Sequence, residues 1–317
     1  MSANTLMNPY QMFGTTIPAG MTTADALEYT GISGMRQRVL KPHLTDADGL
    51  PIDMGDIRIN VGDVPLGDNG DRIPTALGAV KKGYQPFQYE AVLGTVTDGF
   101  GEFGVTPKIM GMWAGGRAAY AVYDLPSGAE VTVGGDLVLR HIVAATRADG
   151  AGAAKAFLTA ERASCANMIN SLFADGKRLV SIRHTRNADP RLMEQVEVLL
   201  GLAEDWDAGL AREITELQEQ TVTRRQYADV VVPALLGERP DEKGRSQTIF
   251  DRKFEELVAS WSSPVAAEGE TAWRAYNAVT EHEQHHRSRN QRVMAEATLS
   301  GRTPMEGRVL QVLGSLA

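Results

Sequence analysis

Near the end of the chain, His282-Glu283-Gln284-His285-His286 has the residue types and spacing of H-E-x-x-H. On a helix that spacing sets two imidazoles on one face, and the glutamate between them polarises a metal-bound water, so the chemistry would be zinc-dependent hydrolysis. Zinc sites of this kind lie in buried clefts. Here Thr280, Glu281, Gln284, His285, Arg287, Ser288 and Arg289 make the turn polar around most of its circumference and place arginines beside a dication. Glu306 lies at a tolerable spacing for a third ligand, but a lone downstream glutamate is expected by chance. The motif is read as a solvated, histidine-rich helix surface or an interface, with a zinc hydrolase on His282, Glu283 and His286 as an alternative.

A second pattern, TVTDGFGEFGVTP, matches G-x-G-x-x-G at Gly99, Gly101 and Gly104, with Asp124 twenty residues after the last glycine. A dinucleotide site needs those glycines after a strand and at the start of a helix, because the helix N-terminus holds the pyrophosphate. Pro107 and the alternating stretch after it spoil that context, so a loop of small residues is expected. The chain has no G-x-x-x-x-G-K-[ST] and no G-x-S-x-G, which argues against a P-loop ATPase and a serine-nucleophile hydrolase. Cys165 falls on the apolar face of an expected helix and reads as a packing residue. His141 and His184 stand alone and read as satisfied strand residues.

Cys165 is the only cysteine in the 317 residues, so neither an intrachain disulfide nor a thiolate zinc cluster can form. Apolar residues make up 43% of the chain, enough for a substantial core, and no apolar run is long enough to span a membrane. The start, MSANTLMNPYQMFG, has neither the positive end nor the apolar run of a secretory signal, and a cytoplasmic protein is expected. The net charge of -8 is unevenly spread. From Lys155 to Arg191 seven basic side chains face three acidic ones, whereas residues 201–250 hold ten acidic and six basic. An acidic remainder can therefore mask a basic groove in the overall charge.

Residues 1–50 read as an N-terminal arm with one short helix around Thr23 to Thr30. IRINVGDV and RIPTALGAV alternate about the Asp68-Asn69-Gly70-Asp71 turn, a hairpin signal, and a short helix is expected at Phe87 to Leu93. TPKIMGMW, RAAYAVYDLP and VTVGGDLVLRHIVAAT alternate as three antiparallel strands. TAERASCANMINSLF then sets Cys165, Met168, Ile169 and Leu172 on one face at helical spacing. The fold class is α+β: an antiparallel sheet with a β-β-β-α core unit over residues 51–188, followed by a helical C-terminal region over 189–317. KRLVSIRHT adds a strand, and Asp189-Pro190 starts a helix. Its stripe of Leu192, Val196, Leu199, Ala203, Trp206, Leu210, Ile214 and Leu217 is expected to pack on its own domain. PALLGERPDEKGRS reads as a loop, and IFDRKFEELVASW, TAWRAYNAVTEHEQHHRSRN and TPMEGRVLQVLGSL as further helices.

Five stretches in order, LGAVKKGYQPFQYEAV, GGRAAYAVYDLP, ERASCANMINSL, IRHTRNADPRLMEQV and TAWRAYNAVTEHEQHH, resemble the phage/plasmid-like proteins built on domain of unknown function 932. The resemblance covers roughly residues 50–290. This chain departs from the family's usual pattern at Asn167-Met168, where the family has a more polar Asn-Thr, and in its alanine-rich loop at Asp149-Gly150. The resemblance implies a phage or prophage origin and carries no catalytic residues.

At the level of architecture, the β-β-β-α unit resembles the single-strand annealing recombinases of phages, in which a curved sheet and helix form a groove, subunits assemble as rings or filaments, and phosphates are held without sequence readout. A positive track would then consist of Lys155, Arg162, Lys177, Arg178, Arg183, Arg186 and Arg191, with Arg140, Arg147 and Arg117 as additions. Aromatic residues such as Phe173 are sparse in that segment, so strong base stacking is not expected. The expected function is single-stranded DNA binding and annealing by a homo-oligomer, without ATP, metal or other cofactor and without a membrane partner. The alternative is a phage protein that binds and redirects a host protein through the acidic region 201–242 and the long apolar stripe.

Overall fold

The computed structural model describes residues 9–66, 71–125, 128, 130–150, 153–162, 167–168, 179–182, 189–241, 244–263, 267–286, 290, 293 and 304–316. Along the chain come α1 (Pro9–Phe13), β1 (Gly14–Thr16), α2 (Thr23–Tyr29), β2 (Gln37–Leu40), β3 (Leu44–Thr45) and β4 (Pro51–Ile52). Next are β5 (Ile57–Pro65), β6 (Arg72–Lys81), α3 (Tyr89–Gly101), β7 (Pro107–Trp113), β8 (Ala118–Asp124), β9 (Glu130–Val133), β10 (Asp136–Arg147), β11 (Ala154–Arg162), β12 (Asn167–Met168) and β13 (Leu179–Ile182). The helical region holds α4 (Asp189–Glu219), α5 (Arg224–Gln226), a π-helical turn at Tyr227–Val231, α6 (Val232–Leu236), α7 (Arg245–Ser260), α8 (Ala272–Glu281), a second π-helical turn at His282–His286, and α9 (Pro304–Gly314).

The fold is α+β with antiparallel sheets and a C-terminal helical region. The large sheet runs in the order β1-β7-β8-β10-β11-β12, with β9 paired to β10 and β13 to β11. At its centre β7 pairs with β8 and β10 with β11, chain neighbours as short connections favour, while β8 pairs with β10 past the short β9. A smaller sheet has the order β2-β5-β6.

Two expected elements differ. VTVGGDLVLRHIVAAT is broken at Gly134-Gly135, both at positive φ, so that β9 folds back on the start of β10. The helix expected over residues 159–173 begins as strand: Thr159 to Arg162 lie in β11, paired with β10 from His141 back to Val138, and Asn167–Met168 form β12. The helical spacing around Cys165 loses here to eight successive cross-strand pairs between β10 and β11, because a sheet edge satisfies backbone groups that a short isolated helix would leave marginal. Cys165, Ile169 and Leu172 lie outside the described residues. In the expected loop at 233–246, Val232–Leu236 is helical and α7 starts at Arg245.

One face of the large sheet carries the main core. Ala119, Ala121 and Tyr123 of β8, Ile142 and Ala144 of β10 and Leu158 of β11 pack with Leu93, Val96 and Phe100 of α3 and with Ala203, Trp206, Leu210 and Ile214 of α4. The α4 stripe thus packs on its own domain, each of these large side chains gaining roughly 1.5–3 kcal/mol from burial. Leu192, Val196 and Leu199 of that stripe lie outside the described side chains. Residues from Pro9 onward in the N-terminal region are bound into the same structure: Ile17, Leu27, Ile32 and Met35 belong to the core, and β2 pairs with β5.

The two sheets meet at the β10–β11 turn. Asn60 of β5, fully buried, donates from Nδ2 to the Ala148 carbonyl at 2.7 Å and to Gln37 Oε1 at 3.1 Å. Gly78 of β6 lies so close to the Asp149 backbone that a Cβ would collide with it. Glycine there is a requirement of close approach rather than of flexibility.

Candidate nucleic-acid interface

The opposite face of the large sheet has its own cluster. Trp113, Ala118, Tyr120, Val122 and Val143 are buried there with Tyr10 of α1, and Phe13, Ala145 and Phe157 pack at its border. The Tyr120 ring lies 5.3 Å from both Tyr10 and Trp113, centroid to centroid. Register fixes what flanks this aromatic band. Ala145 is opposite Lys155, and Ala118 is opposite Arg147, so Arg147 and Lys155 leave the same face at the β10–β11 turn. At the other end His141 is opposite Asp124 and Thr159, and Leu139 is opposite Glu161. The face is therefore divided into a basic end, an aromatic middle and an acidic end that holds a histidine.

At the acidic end His141 Nδ1 lies 3.2 Å from Asp124 Oδ1, and Nε2 lies 3.9 Å from Glu161 Oε1. Burial alone would push His141 down, but the hydrogen bonds and charges of Asp124 and Glu161 outweigh it and hold the imidazole above its ordinary value. Burial also opposes ionisation of Asp124, and its bonds to His141 and to Lys108, 3.3 Å away, overcome that and lower its pKa. His141 is thus a satisfied strand residue, as its sequence setting suggests. Its partners come from two other strands, a pairing that sequence spacing does not reveal.

The structure separates the basic residues picked out from sequence. Arg140 and Arg162 alternate onto the helix-covered face and are buried. Arg162 grips Asp136 with Nε at 2.8 Å and Nη2 at 2.6 Å, and Arg140 donates to the Gly128 and Glu130 carbonyls at 2.8 and 3.2 Å. Both guanidiniums are engaged inside the protein, where no phosphate backbone can reach them. Arg147 is paired with Asp149. Lys155 and Arg117 are exposed. Lys177, Arg178, Arg183 and Arg186 lie outside the described residues, as does the side chain of Arg191.

Arg117 accepts at its carbonyl from the Ala148 N–H at 2.8 Å, which places it beside the β10–β11 turn with Arg147 and Lys155. A Cβ at Gly150 in that turn would meet Val80, so the exposed Lys81 and Lys82 follow directly. These two lysines were not among the basic residues expected from sequence. Their only sequence signal is the KK pair after an alternating strand.

The H-E-x-x-H turn is not a solvated surface. His282 and Glu283 are 2% and 1% exposed, and the turn is π-helical. Glu281 accepts from Ser263 Oγ at 2.7 Å and faces His286 Nε2 at 3.1 Å, five residues on, the separation a π turn brings together. Glu283 accepts the Met305 N–H at 2.8 Å at the start of α9, and Gln284 donates to Glu306. The polar residues face inward because they hold α9 against α8. The glutamate that would polarise a metal-bound water in a zincin caps a helix, a favourable use of a carboxylate at a positive helix end.

The G-x-G-x-x-G glycines also have a structural place. Gly99 and Gly101 close the last turn of α3, and Gly104 sits at φ 74 in the loop beyond. That is the negative end of the helix, which disfavours a pyrophosphate.

Residues 76–302 match the family model described as Domain of unknown function (DUF932). The chain belongs to the DUF932 family. The match runs from within β6 to just before α9, so the DUF932 region includes the acidic and basic ends of the sheet face but not Tyr10 and Phe13. No curated protein and no solved structure matches the chain. No helix among the described residues is long and apolar enough to cross a membrane.

Proposed function

We propose that this DUF932 protein is a phage-type protein of the host cytoplasm that binds single-stranded DNA as a homo-oligomer and promotes strand annealing, a mode of binding that calls for neither ATP nor metal. One observation carries the reading: the backbone at the exposed Lys81 and Lys82, at Arg117 and at Lys155, three separate segments, comes together around the β10–β11 turn, where Arg147 is already paired with Asp149. Phosphates held without sequence readout need such a cluster of exposed cations and tolerate an acidic remainder. The test is fluorescence anisotropy of a labelled single strand across a salt series, with a light-scattering mass on the same sample. Binding by an oligomer that weakens steeply with salt is expected; no retention of the strand at low salt overturns the reading.

The host-protein alternative has less of the α4 stripe as its surface, since Ala203, Trp206, Leu210 and Ile214 of that stripe are internal. It rests instead on the outer face of the smaller sheet, where Leu40 and Ile57 are 45% and 43% exposed and Ala76 and Ala79 are also exposed. A stoichiometric, nuclease-resistant host protein retained by the wild type and lost in a Leu40→Asp/Ile57→Asp variant would favour it.

A further inference from the structure

We infer that the cavity beside the β7–β8 turn is a pocket for a single nucleobase, with Arg117, the next residue after the lining Gly116, for the adjoining phosphate. This deepens the strand-binding reading and rests on it. The cavity has a volume of about 390 Å³ and lies between the end of β5 and the turn, with Phe13, Val64, Met112 and Trp113 as apolar walls and Asn290 at a polar edge. Small-molecule pockets run from roughly 300 to 1,000 Å³, so this one suits one nucleotide rather than two.

Three features point to a ligand of that chemistry. The backbone beside the cavity bears a local cost: Gly115 and Gly116 are left-handed at φ 65 and 82, which glycine adopts freely in a hairpin turn, but Ala114 at φ 54 is the non-glycine residue with positive φ among the described residues. Strain of this kind concentrates at binding sites, where the surroundings enforce it. The Trp113 side chain is buried, and its indole N–H has no acceptor among the described residues. A buried donor without a partner is destabilising, and the carbonyl edge of a base would relieve it after a small adjustment of the wall. Finally, the exposed Arg117 directly follows the pocket residue Gly116 and belongs to the basic cluster, so a base in the pocket would leave its phosphate among cations. A flat ring with a carbonyl, joined to an anion, meets all three conditions; an aliphatic ligand meets neither the donor nor the charge.

The test titrates the full-chain protein with each of the four deoxynucleoside monophosphates and, separately, with inorganic phosphate, by calorimetry and ligand-observed NMR. Saturable nucleotide binding is expected, weakened about 5-fold to 150-fold in Phe13→Ala, the range for loss of one stacking contact. Arg117→Ala weakens it too, and Trp113→Phe, which keeps a ring but deletes the donor, changes the preference among bases. Because Trp113→Phe touches a buried cluster, Phe13→Ala serves as the variant at the border. Displacement of the nucleotide by inorganic phosphate at equal concentration overturns the pocket, since only an anion site would remain. Strand binding with no nucleotide binding at several millimolar also overturns it and leaves the strand reading standing. Nucleotide binding without strand binding has the opposite meaning: the pocket holds and the strand reading falls.

Discussion

Trp273 of α8 donates its indole N–H to Asp136 at the head of β10, 2.7 Å away, and the same carboxylate is gripped by Arg162 at the end of β11. One side chain thus joins the helical region to two strands, with Asp136 itself 137 residues away from Trp273 in sequence. The cluster is largely buried, so it orients α8 on the sheet only while all three groups are present.

Asp136→Ala leaves the Arg162 guanidinium buried without its carboxylate, and a loss of about 3–5 kcal/mol is expected from removing one partner of such a pair. Trp273→Phe deletes one charge-assisted bond and should cost about 1.5–3 kcal/mol. Urea denaturation of both variants checks this. Equal, small losses would mean that the cluster is a bystander.

The pH dependence should carry the sign of His141. Its folded pKa lies above the ordinary 6.5, so its contribution is complete below about that value and is lost as pH rises through the raised one. Asp124 is lowered, and its contribution, present above 3.8, is lost as pH falls through the depressed value. Urea midpoints should fall on the alkaline side of 6.5, and His141→Gln should flatten that limb. An unchanged limb in the variant would assign the loss to other groups.

Glu283 caps α9, so Glu283→Ala, which removes the acceptor, should destabilise the protein by about 0.5–2 kcal/mol, the range for a helix cap. Far-ultraviolet circular dichroism during a denaturant titration reads this out. Elemental analysis of the purified wild type and of His282→Ala/His286→Ala tests the hydrolase alternative. One equivalent of zinc in the first and none in the second would revive it.

Gly116 stands at φ 82 with Val64 Cγ2 only 2.8 Å from where a Cβ would lie. Gly116→Ala meets both backbone strain and crowding, and a loss of about 1–3 kcal/mol is expected. Gly115 has open space at the same point, so Gly115→Ala should show the backbone cost alone. Thermal melts of the two variants separate the contributions.

Arg117→Ala and Lys155→Ala should each lower the slope of log affinity against log salt by about 1 if each side chain contacts one phosphate. Arg140→Ala and Arg162→Ala should instead lower stability, since their guanidiniums are internal. Anisotropy titrations at several salt concentrations, read beside melting curves, distinguish the two pairs.

Much of the fold was legible in local pattern. Alternation over Pro107–Trp113, Ala118–Asp124 and Asp136–Arg147, the Asp189 helix start and the α4 stripe are properties of short windows, and period alone assigns them. The ordered stretches that carry the family resemblance are likewise read directly from the chain. The strand Ala154–Arg162 was not legible, because helical spacing over residues 159–173 suggests a helix and a fifteen-residue window cannot weigh a partner strand.

Tertiary structure alone decided which charges are inside. Arg140 and Arg147 are seven residues apart on one strand, so a period of two places them on opposite faces, and only the position of α3 and α4 tells which face is buried. The same holds for His282 and Glu283, polar in sequence yet internal because α9 supplies the groups that satisfy them. Sequence by itself determined most of the elements and the family; the packing of distant elements determined the rest of the strands and where each polar side chain spends its hydrogen bonds.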